Sequence, residues 1–287
     1  MSSPNFQASV SKSERTRLVS MAYGYLGSLA ESEDIVQEAM LRLLQEDRAQ
    51  IRNVAAWLTT VVARLAIDRL RSAQHRREVY FGEWLPEPVF HAPTAEQDAI
   101  TRSKLSVGLL YLLEGLEPEQ RIVFVLREVF QHSYDSIAEV AGKSEAGCRQ
   151  LMVRARAALE RAKATPPVAK IVADGVVNRF IEALAQGDEG ALLGILAPDA
   201  VLVADGGGKV RSVLKPIYGA DKIARFFRGI RPKHRFEWRA ATVNSGPGML
   251  TYQDGKLGGV TQIEIRDGKV AAIYAVSNPD KIGVRKS

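Results

Sequence analysis

The spacing of hydrophobic positions divides the chain into two parts with different predicted architecture. Up to about residue 164, hydrophobic residues recur at three- and four-residue intervals, which is typical of amphipathic helices. Beyond residue 168 the pattern changes to two helices followed by stretches in which hydrophobic and polar residues alternate, as they do in strands. The sequence therefore predicts an all-α N-terminal part and an α+β C-terminal part.

Two long helices are predicted near the N-terminus. In the first, SEDIVQEAMLRLLQE (32–46), Ser32 is a suitable N-cap, and the first-turn acids Glu33 and Asp34 are favoured by the helix dipole. Its buried stripe is predicted to be Ile35, Ala39, Met40, Leu43 and Leu44, and its other face Asp34, Gln37, Glu38, Leu41 and Arg42. The second helix, residues 53–78, buries Trp57, Leu58, Val61, Leu65 and Leu70 and becomes rich in arginine toward its end.

A segment without helical periodicity follows, at residues 81–93 (FGEWLPEPVFHAP). Its three prolines restrict their own backbone and that of the preceding residues, so it is predicted to be part of a linker. Further helices are predicted over 105–116 and from Pro118, because proline suits the first helical position. A short helix at 134–140, a turn at Gly142 and a helix capped by Ser144 and Glu145 then have the spacing of a helix-turn-helix.

The C-terminal part begins after Thr165-Pro166-Pro167, a predicted domain boundary. Helices are predicted at 168–186, 190–196 and 220–227, and strands at 200–204, 236–243, 249–252, 259–265 and 270–276. Asp267-Gly268, between the last two strands, is typical of a hairpin turn. We predict an antiparallel sheet.

Composition indicates a soluble multidomain protein and excludes several classes. The 287 residues are 46% hydrophobic and 25% charged, as in ordinary globular proteins. No stretch is apolar enough to span a membrane and no secretory signal is present, so we expect no membrane association and a cytoplasmic location. One cysteine and four scattered histidines predict neither a disulfide nor a metal site.

The net charge of +6 is unevenly distributed. Residues 1–165 contain 21 basic and 21 acidic residues, but two basic clusters stand out within them, at 64–77 and 143–163. In the second helix of the helix-turn-helix, Glu145, Arg149 and Gln150 are placed to contact base edges, and Arg154 and Arg156 to hold phosphates. The alternative is an ordinary helical hairpin with solvated arginines. The other cluster is a second predicted DNA contact and consists of Arg64, Arg69, Arg71, Arg76 and Arg77.

These segments together resemble the extracytoplasmic-function sigma factors of bacterial RNA polymerase. GSLAESEDIVQEAMLRLL resembles region 2 of that family, with Asp34, Gln37 and Glu38 in its D-x-x-Q-E pattern. WLTTVVARLAIDRLRS resembles the adjoining promoter-melting segment, and LEPEQRIVFVLREVF through RARAAL resembles region 4. Many members have Asn where this chain has Arg64, so contacts to a flipped promoter base are not transferred.

The resemblance implies a function, partners and site residues. Asp34, Gln37, Glu38 and Leu41 are expected to lie against the β′ clamp of core RNA polymerase, with region 4 on the β flap. Region 2 is expected to capture and open the downstream promoter element, and region 4 to bind the upstream element. The runner-up hypothesis is a ligand-sensing or enzymatic domain fused to a DNA-binding transcription regulator.

The segment ADGGGKV (204–210) raises the question of what three consecutive glycines are for. It matches neither the Walker pattern nor the dinucleotide fingerprint, so a phosphate-binding loop is disfavoured against a glycine-rich surface loop. A third interpretation comes from resemblance. Residues 168–282 are similar to a SnoaL-like domain, an α+β cone, which a subgroup of these sigma factors (the sigma J type) carries as an extension.

That subgroup shows three motifs that recur here. They are WLPEP (Trp84, Leu85, Pro86, Glu87, Pro88), DGGGK (Asp205, Gly206, Gly207, Gly208, Lys209) and NPDK (Asn278, Pro279, Asp280, Lys281). The resemblance implies that the extension regulates the sigma domains in cis, without a separate anti-sigma factor. Because glycines allow close backbone approach, we predict that DGGGK packs on or near WLPEP and that Gly207→Val alters promoter activity.

Enzymatic chemistry in the cone is not predicted, and neither catalytic residues nor a cofactor are assigned. Asp205, Glu264, Tyr218, Tyr252 and Tyr274 supply suitable side chains but no spacing that defines a site. Binding of a small ligand in the cone is left as an open alternative. The basic excess between Lys209 and Arg239 is interpreted as solvated surface, a docking surface or a nucleic-acid contact.

The predicted organisation has four segments. Region 2 occupies residues 8–80, a linker 81–100, region 4 with its helix-turn-helix 101–165, and the SnoaL-like regulatory domain 168–285.

Overall fold

The computed structural model describes residues 10–47, 51–77, 80–90, 95–161, 170–230 and 236–283, except the side chains of 73–77, 101–102, 161 and 170–172. The predicted boundary at 165–167 lies outside these ranges. The chain forms two compact units. A helical unit is drawn from Met1–His75, Ala92–Ile100 and Leu113–Arg161, and a mixed unit from Arg76–His91, Thr101–Leu112 and Ala162–Ser287. In the described ranges, no helix is long and apolar enough to cross a membrane.

The helical unit begins with three helices, α1 (Lys12–Leu26), α2 (Leu29–Gln45) and α3 (Val54–Arg77). Gly27, in the left-handed conformation with φ 67°, ends α1. The Ser28 hydroxyl then caps α2 by accepting a hydrogen bond from the Glu31 amide. The predicted N-cap, Ser32, is wrong, because α2 starts a turn earlier. Ser32 is buried there and its hydroxyl donates to the Ser28 carbonyl at 2.5 Å.

The predicted buried stripe of α2 is correct at Ile35, Ala39 and Leu43, only partly buried at Met40, and wrong at Leu44, which is 49% exposed. Val36, rotated about 100° from Ile35, is also buried, so rotation about the helix axis does not by itself explain the exposure of Leu44, which lies in the last turn of α2. In α3, Leu58, Leu65 and Leu70 are buried as predicted, but Trp57 and Val61 are only partly buried.

The remaining helices of this unit include the predicted helix-turn-helix. They are α4 (Ala95–Arg102), α6 (Pro118–Phe124) with a π-helical turn at Val125–Val129, α7 (Tyr134–Ala141) and α8 (Glu145–Arg161). Pro118 occupies the start of α6, as predicted. Gly142, at φ 63°, ends α7, and the Ser144 hydroxyl accepts from the Gly147 amide at 3.1 Å, so the predicted turn and cap are confirmed. Cys148 and Met152 of α8 are buried.

One predicted helix is shorter than expected. Residues 105–116 contain α5 (Val107–Leu113), because the Ser106 hydroxyl accepts from the Leu109 amide at 2.9 Å and starts the helix there.

Besides the greater part of α5, the described residues of the mixed unit form three helices and a six-stranded sheet. The helices are α9 (Lys170–Gln186), α10 (Glu189–Ile195) and α11 (Ala220–Ile230). The strands are β1 (Leu196–Asp205), β2 (Ile217–Tyr218), β3 (Phe236–Val243), β4 (Gly246–Gln253), β5 (Lys256–Arg266) and β6 (Lys269–Val276). Asp267 and Gly268, at φ 53° and 71°, form the predicted hairpin turn between β5 and β6.

The sheet has the order β2-β1-β6-β5-β4-β3 and is mixed rather than antiparallel. β1 and β6 are parallel, with Asp205 opposite Val276, and the other pairs are antiparallel. The prediction of a wholly antiparallel sheet was wrong at this pair, because a period of two reports burial and carries no information on strand direction.

Each face of the sheet is covered by a different part of the chain. Helices α9, α10 and α11 cover one face, which includes Leu202 and Ile273. The connector, which we define as residues 80–90, and the start of α5 pack on the other face. Leu85 and Val107 are buried there in one cluster with Val203, Val243, Leu250, Val260, Ala272, Tyr274, Val276 and Ile282. Burying a side chain of this kind contributes about 1.5–3 kcal/mol.

Candidate functional sites

Asp205, at the end of β1, is the centre of a buried polar site in the mixed unit. Its Oδ1 accepts from the Tyr80 hydroxyl at 2.7 Å and the Gly207 amide at 2.9 Å. Its Oδ2 accepts from the Leu85 amide at 2.9 Å and from Lys281 Nζ at 2.7 Å. One fully buried carboxylate therefore joins the connector to the strand and to the C-terminal segment.

Lys281 completes this site. Its Nζ also donates to the Leu85 carbonyl at 2.5 Å and lies 4.1 Å from the Trp84 ring centroid and 5.2 Å from that of Tyr80. Burial, and then the hydrogen bond to Asp205, raise the pKa of Tyr80 above its ordinary value, so this hydroxyl remains a donor at physiological pH. We call the set Tyr80, Trp84, Leu85, Asp205, Asn278 and Lys281 the clasp.

The glycines allow close approach at the clasp. Gly207 has φ 61°, and a Cβ atom there would clash with Asn278 Nδ2. Gly208 has φ 68°, and its Cβ would lie 3.2 Å from Phe81 Cβ. The amides of Lys209 and Val210 both donate to the Gly206 carbonyl, which closes a tight turn. Lys209 itself forms an exposed ion pair with Asp280.

Asn278 holds the C-terminal motif in place. Its Nδ2 donates to the Tyr80 hydroxyl at 3.0 Å, its backbone amide donates to the Asp205 carbonyl at 3.1 Å, and its Oδ1 accepts from the Asp280 amide. The structure therefore brings residues of all three motifs together. In the rest of WLPEP, Pro86 and Pro88 are buried and Glu87 is half-buried.

A second anchor of the same unit was not found from the sequence. Asn244, in the β3–β4 turn, accepts from the Val89 amide at 2.9 Å and donates to the Leu105 carbonyl at 2.9 Å. Gln262 of β5 accepts from the Gly108 amide at 3.2 Å. Gln262 is a polar residue at an alternating position of a predicted strand, and this was the feature of the sequence that could have indicated its role as an anchor. Asn244 looks like an ordinary turn residue.

The five side chains considered for catalysis do not converge. Asp205 is used by the clasp, Tyr218 is 65% exposed and Tyr252 stacks with Arg239. Glu264 and Tyr274 instead lie against Gly108 at the start of α5. Burial, and then the neighbouring Glu264, raise the pKa of Tyr274. Across the described residues, no cluster of three or more His, Cys, Asp or Glu side chains could hold a metal ion.

In the helical unit, the residues predicted to contact polymerase lie on the accessible side of α2. Asp34 and Gln37 are exposed, and Leu41 is 53% exposed. Glu38 is partly buried and pairs with Arg42 at 2.5 Å. Leu44 adds a second exposed leucine to this surface.

The residues predicted to contact DNA lie on α3 and α8. Arg64 and Arg71 are exposed and Arg69 is partly buried, and Arg71 pairs with Glu119 at 2.7 Å. The side chains of Arg76 and Arg77 lie outside the described residues. On α8 the candidates are exposed. Arg149 pairs with Glu145 at 2.8 Å and lies over the Tyr134 ring, Arg156 pairs with Glu128 at 2.6 Å, and the other two are Gln150 and Arg154.

The helix-turn-helix of α7 and α8, with its exposed arginines, is typical of DNA-binding transcription proteins. The family description Sigma-70 region 2 matches residues 11–76, and Sigma-70, region 4 matches residues 106–159.

Comparisons over almost the full length define the family. The chain is 37% identical to the ECF RNA polymerase sigma factor SigJ of Mycobacterium tuberculosis, over 93% of this chain and 90% of that protein. It is 30% identical to the probable ECF RNA polymerase sigma factor SigI of the same species, over 94% and 93%. The crystal structure of the M. tuberculosis SigJ superposes with a TM-score of 0.79 at 36% identity and covers 95% of this chain and 96% of that one.

The chain therefore belongs to the extracytoplasmic-function (ECF) RNA polymerase sigma factors, and it carries a C-terminal SnoaL-like domain. As a sigma factor it binds core RNA polymerase and promoter DNA to initiate transcription. This is not an enzyme family.

Proposed function

We propose that the SnoaL-like domain regulates the sigma factor in cis by holding the connector. The observation that carries this proposal is the bonding of Asp205, which belongs to the extension, to the Leu85 amide and the Tyr80 hydroxyl of the connector. Asn244 and Gln262 add hydrogen bonds to Val89, Leu105 and Gly108. The extension thus holds the chain at both ends of the stretch 80–108.

The position of this stretch explains why holding it matters. The region 2 match ends at residue 76 and the region 4 match begins at residue 106, so the held stretch is the covalent link between them. The two regions serve different promoter elements, and the freedom of the link controls whether both elements are reached at once. A closed clasp restricts the link, and an open clasp frees it.

The same proposal assigns roles to the exposed residues. Asp34, Gln37, Glu38 and Leu41 bind the β′ clamp, and region 4 binds the β flap. The α3 arginines contact the opened downstream promoter element. On α8, Glu145, Arg149 and Gln150 contact bases of the upstream element, and Arg154 and Arg156 hold phosphates. Regulation in cis replaces a separate anti-sigma factor.

The experiment is in vitro transcription with core enzyme and point variants. A chain ended near Pro166 would expose Leu85 and Val107, so its activity would report misfolding as well as regulation. Lys281→Met keeps the apolar stem and removes the clasp charge. Its matched control is Lys209→Met, which breaks the exposed pair with Asp280.

We expect Lys281→Met to change promoter-dependent transcription several-fold and Lys209→Met to leave it near that of the unchanged protein. Adding purified anti-sigma candidates is not required for the effect. Equal transcription from all three proteins, with Lys281→Met shown to be folded, would overturn regulation through the clasp.

A further inference from the structure

A cleft of about 260 Å³ lies in the mixed unit between the connector and the loop after the glycines. One wall is formed by Phe81 and Gly82, and the other by Ala204, Gly206, Gly208 and residues 210–214. It is separate from the sheet face that carries Leu85 and Val107, which the chain itself fills. This cleft therefore offers space for a small molecule beside the glycine loop.

The cleft gathers large hydrophobic side chains that are not buried. Phe81 is 62% exposed, Leu214 50% and Val210 38%, and all three line it together with Val213. Scattered exposed hydrophobic residues are ordinary, but convergence in one concavity is typical of a binding site. Filling the cleft would remove this apolar surface from water.

Arg211 supplies charge to the same cleft. It is exposed, and within the described residues no carboxylate pairs with it, whereas the nearby Lys209 pairs with Asp280. The cleft has no acidic lining residue, and Ser212 adds a hydroxyl. A guanidinium at the edge of an apolar cleft favours a carboxylate, sulfonate or phosphate attached to an apolar body.

We propose that this cleft binds a small organic anion with an apolar body. Its concave shape and small volume suit a small molecule better than a protein surface, which usually needs a larger contact. Arg211 pairs with the anionic group, and Phe81, Val210 and Leu214 enclose the apolar part.

The walls of the cleft link it to the clasp. Gly208 approaches Phe81, and a Cβ on Gly82 would lie 3.5 Å from Leu214 Cδ2, so connector and loop are in contact there. Gly207, whose amide donates to Asp205 of the clasp, lies between Gly206 and Gly208 of this wall. A ligand that separates the two walls would bias the clasp. This coupling rests on the proposed function, whereas binding itself does not.

The test uses the full chain and two fluorescent probes of similar shape. 1-Anilinonaphthalene-8-sulfonate carries an anionic group, and N-phenyl-1-naphthylamine lacks it. Each probe is titrated into the unchanged protein, Arg211→Gln, Leu214→Trp and two controls, Lys222→Gln and Leu193→Trp. The controls change an exposed cation and an exposed leucine outside the cleft.

We expect saturable binding of the sulfonate at one site, displaced by octanoate and not by octanol. Arg211→Gln should weaken it about tenfold, the loss of one charged hydrogen bond, and leave the neutral probe unchanged. Leu214→Trp should weaken both probes, and the controls neither. Absence of saturable sulfonate binding, or equal binding by Arg211→Gln, overturns the proposal.

Transcription with and without octanoate is then measured separately. Binding without a change in transcription counts against coupling of the cleft to the clasp and leaves the site standing. Regulation by Lys281 without binding counts against the site alone, and binding with no effect of Lys281→Met counts against cis regulation alone.

Discussion

At the scale of single residues, the clasp depends on one buried charge pair. Asp205 is fully buried and the side chain of Lys281 is 13% exposed, so both lose most of their hydration. Four hydrogen bonds to the carboxylate and two aromatic rings around the ammonium group offset that cost. Such a site is sensitive to the removal of either partner.

Asp205→Asn should destabilise the mixed unit by about 3–5 kcal/mol, because Lys281 is left without its counter-charge. Asp280→Asn, which breaks the exposed pair with Lys209, should cost about 0–1 kcal/mol. Urea unfolding followed by Trp fluorescence measures both. Equal losses for the two variants would contradict a special role of the buried pair.

Gly207→Ala should be more destabilising than Gly255→Ala. Both glycines have positive φ, 61° and 79°, so both substitutions carry a backbone cost of about 1 kcal/mol. Only at Gly207 does the new methyl group meet a neighbour, Asn278, whereas nothing lies within 4 Å of it at Gly255. Thermal unfolding compares them, and adding Asn278→Ala should restore part of the difference. If the double variant recovered none of the difference, the cost of Gly207→Ala would come from the backbone conformation alone.

At the scale of elements, α5 is divided between two roles. The region 4 match includes it, yet its first residues pack on the sheet of the mixed unit. Gly108 is the point of closest approach, because a Cβ there would clash with Glu264 Oε1 and would lie 2.6 Å from Tyr274 Cε2. The absence of a side chain at this position allows the helix to dock.

Alanine substitutions in two helices should therefore have opposite signs. Gly175→Ala in α9, where nothing lies within 4 Å, should stabilise by about 1 kcal/mol from helix propensity. Gly108→Ala in α5 should destabilise by about 1–3 kcal/mol, because steric conflict exceeds that gain. Chemical denaturation of the two variants measures the signs. If both substitutions stabilised the protein, α5 would not need close contact with the sheet at Gly108.

The helical unit should lose stability as pH falls through the ordinary pKa of histidine. Burial, and then the nearby Arg17, lower the pKa of His132. The folded protein therefore protonates this side chain only at a lower pH than the unfolded chain does. The contribution of neutral His132 to the free energy of unfolding is complete above about pH 7. Below the unfolded-state pKa of about 6.5 it is lost, at up to about 1.4 kcal/mol per pH unit. Denaturation at pH 7.5 and 5.5 measures it. His132→Gln should flatten this dependence, and an unchanged slope would assign it to other groups.

At the scale of the whole molecule, the segment that joins the two sigma regions packs into the core of the extension. Leu85 and Val107 lie in the same apolar cluster as side chains from β1, β3, β4, β5 and β6. The SnoaL-like domain is therefore not an independent appendage, and its removal changes the surroundings of the connector.

A chain ended near Pro166 should be cut by chymotrypsin within the connector much faster than the full chain. Tyr80, Phe81, Trp84 and Phe90 are cleavage positions, and the hydrogen bonds to Leu85 and Val89 protect the backbone only when the extension is present. Limited proteolysis with mass spectrometry identifies the cuts. Lys281→Met should show an intermediate rate, and Lys209→Met should match the full chain. Equal protection in the truncated chain would mean that the extension does not protect the connector.

The sequence by itself determined the order and type of most elements and the family. The element types were predictable because hydrophobic periods of 3.6 and 2 follow directly from which face of a helix or strand is buried. The ends and turns were predictable because Pro118, Gly142, Ser144 and Asp267-Gly268 act through their own local backbone and capping preferences. The three motifs were visible as strings of residues, but their roles stay predictions. Ser32 was misjudged because Ser28, one turn earlier, is an equally suitable cap, and Leu44 because a position one residue from a buried one satisfies almost the same helical pattern.

Only the tertiary structure decided which distant residues meet. The parallel pairing of β1 with β6, the bonds of Asp205 to Tyr80, Leu85 and Lys281, the anchoring by Asn244 and Gln262 and the docking of Gly108 join positions more than 60 residues apart. The physical reason is that local preferences act within a few residues, whereas these contacts arise when the sheet buries its second face. What covers that face is set by shape and hydrogen bonding in three dimensions, and it is the protein's own connector.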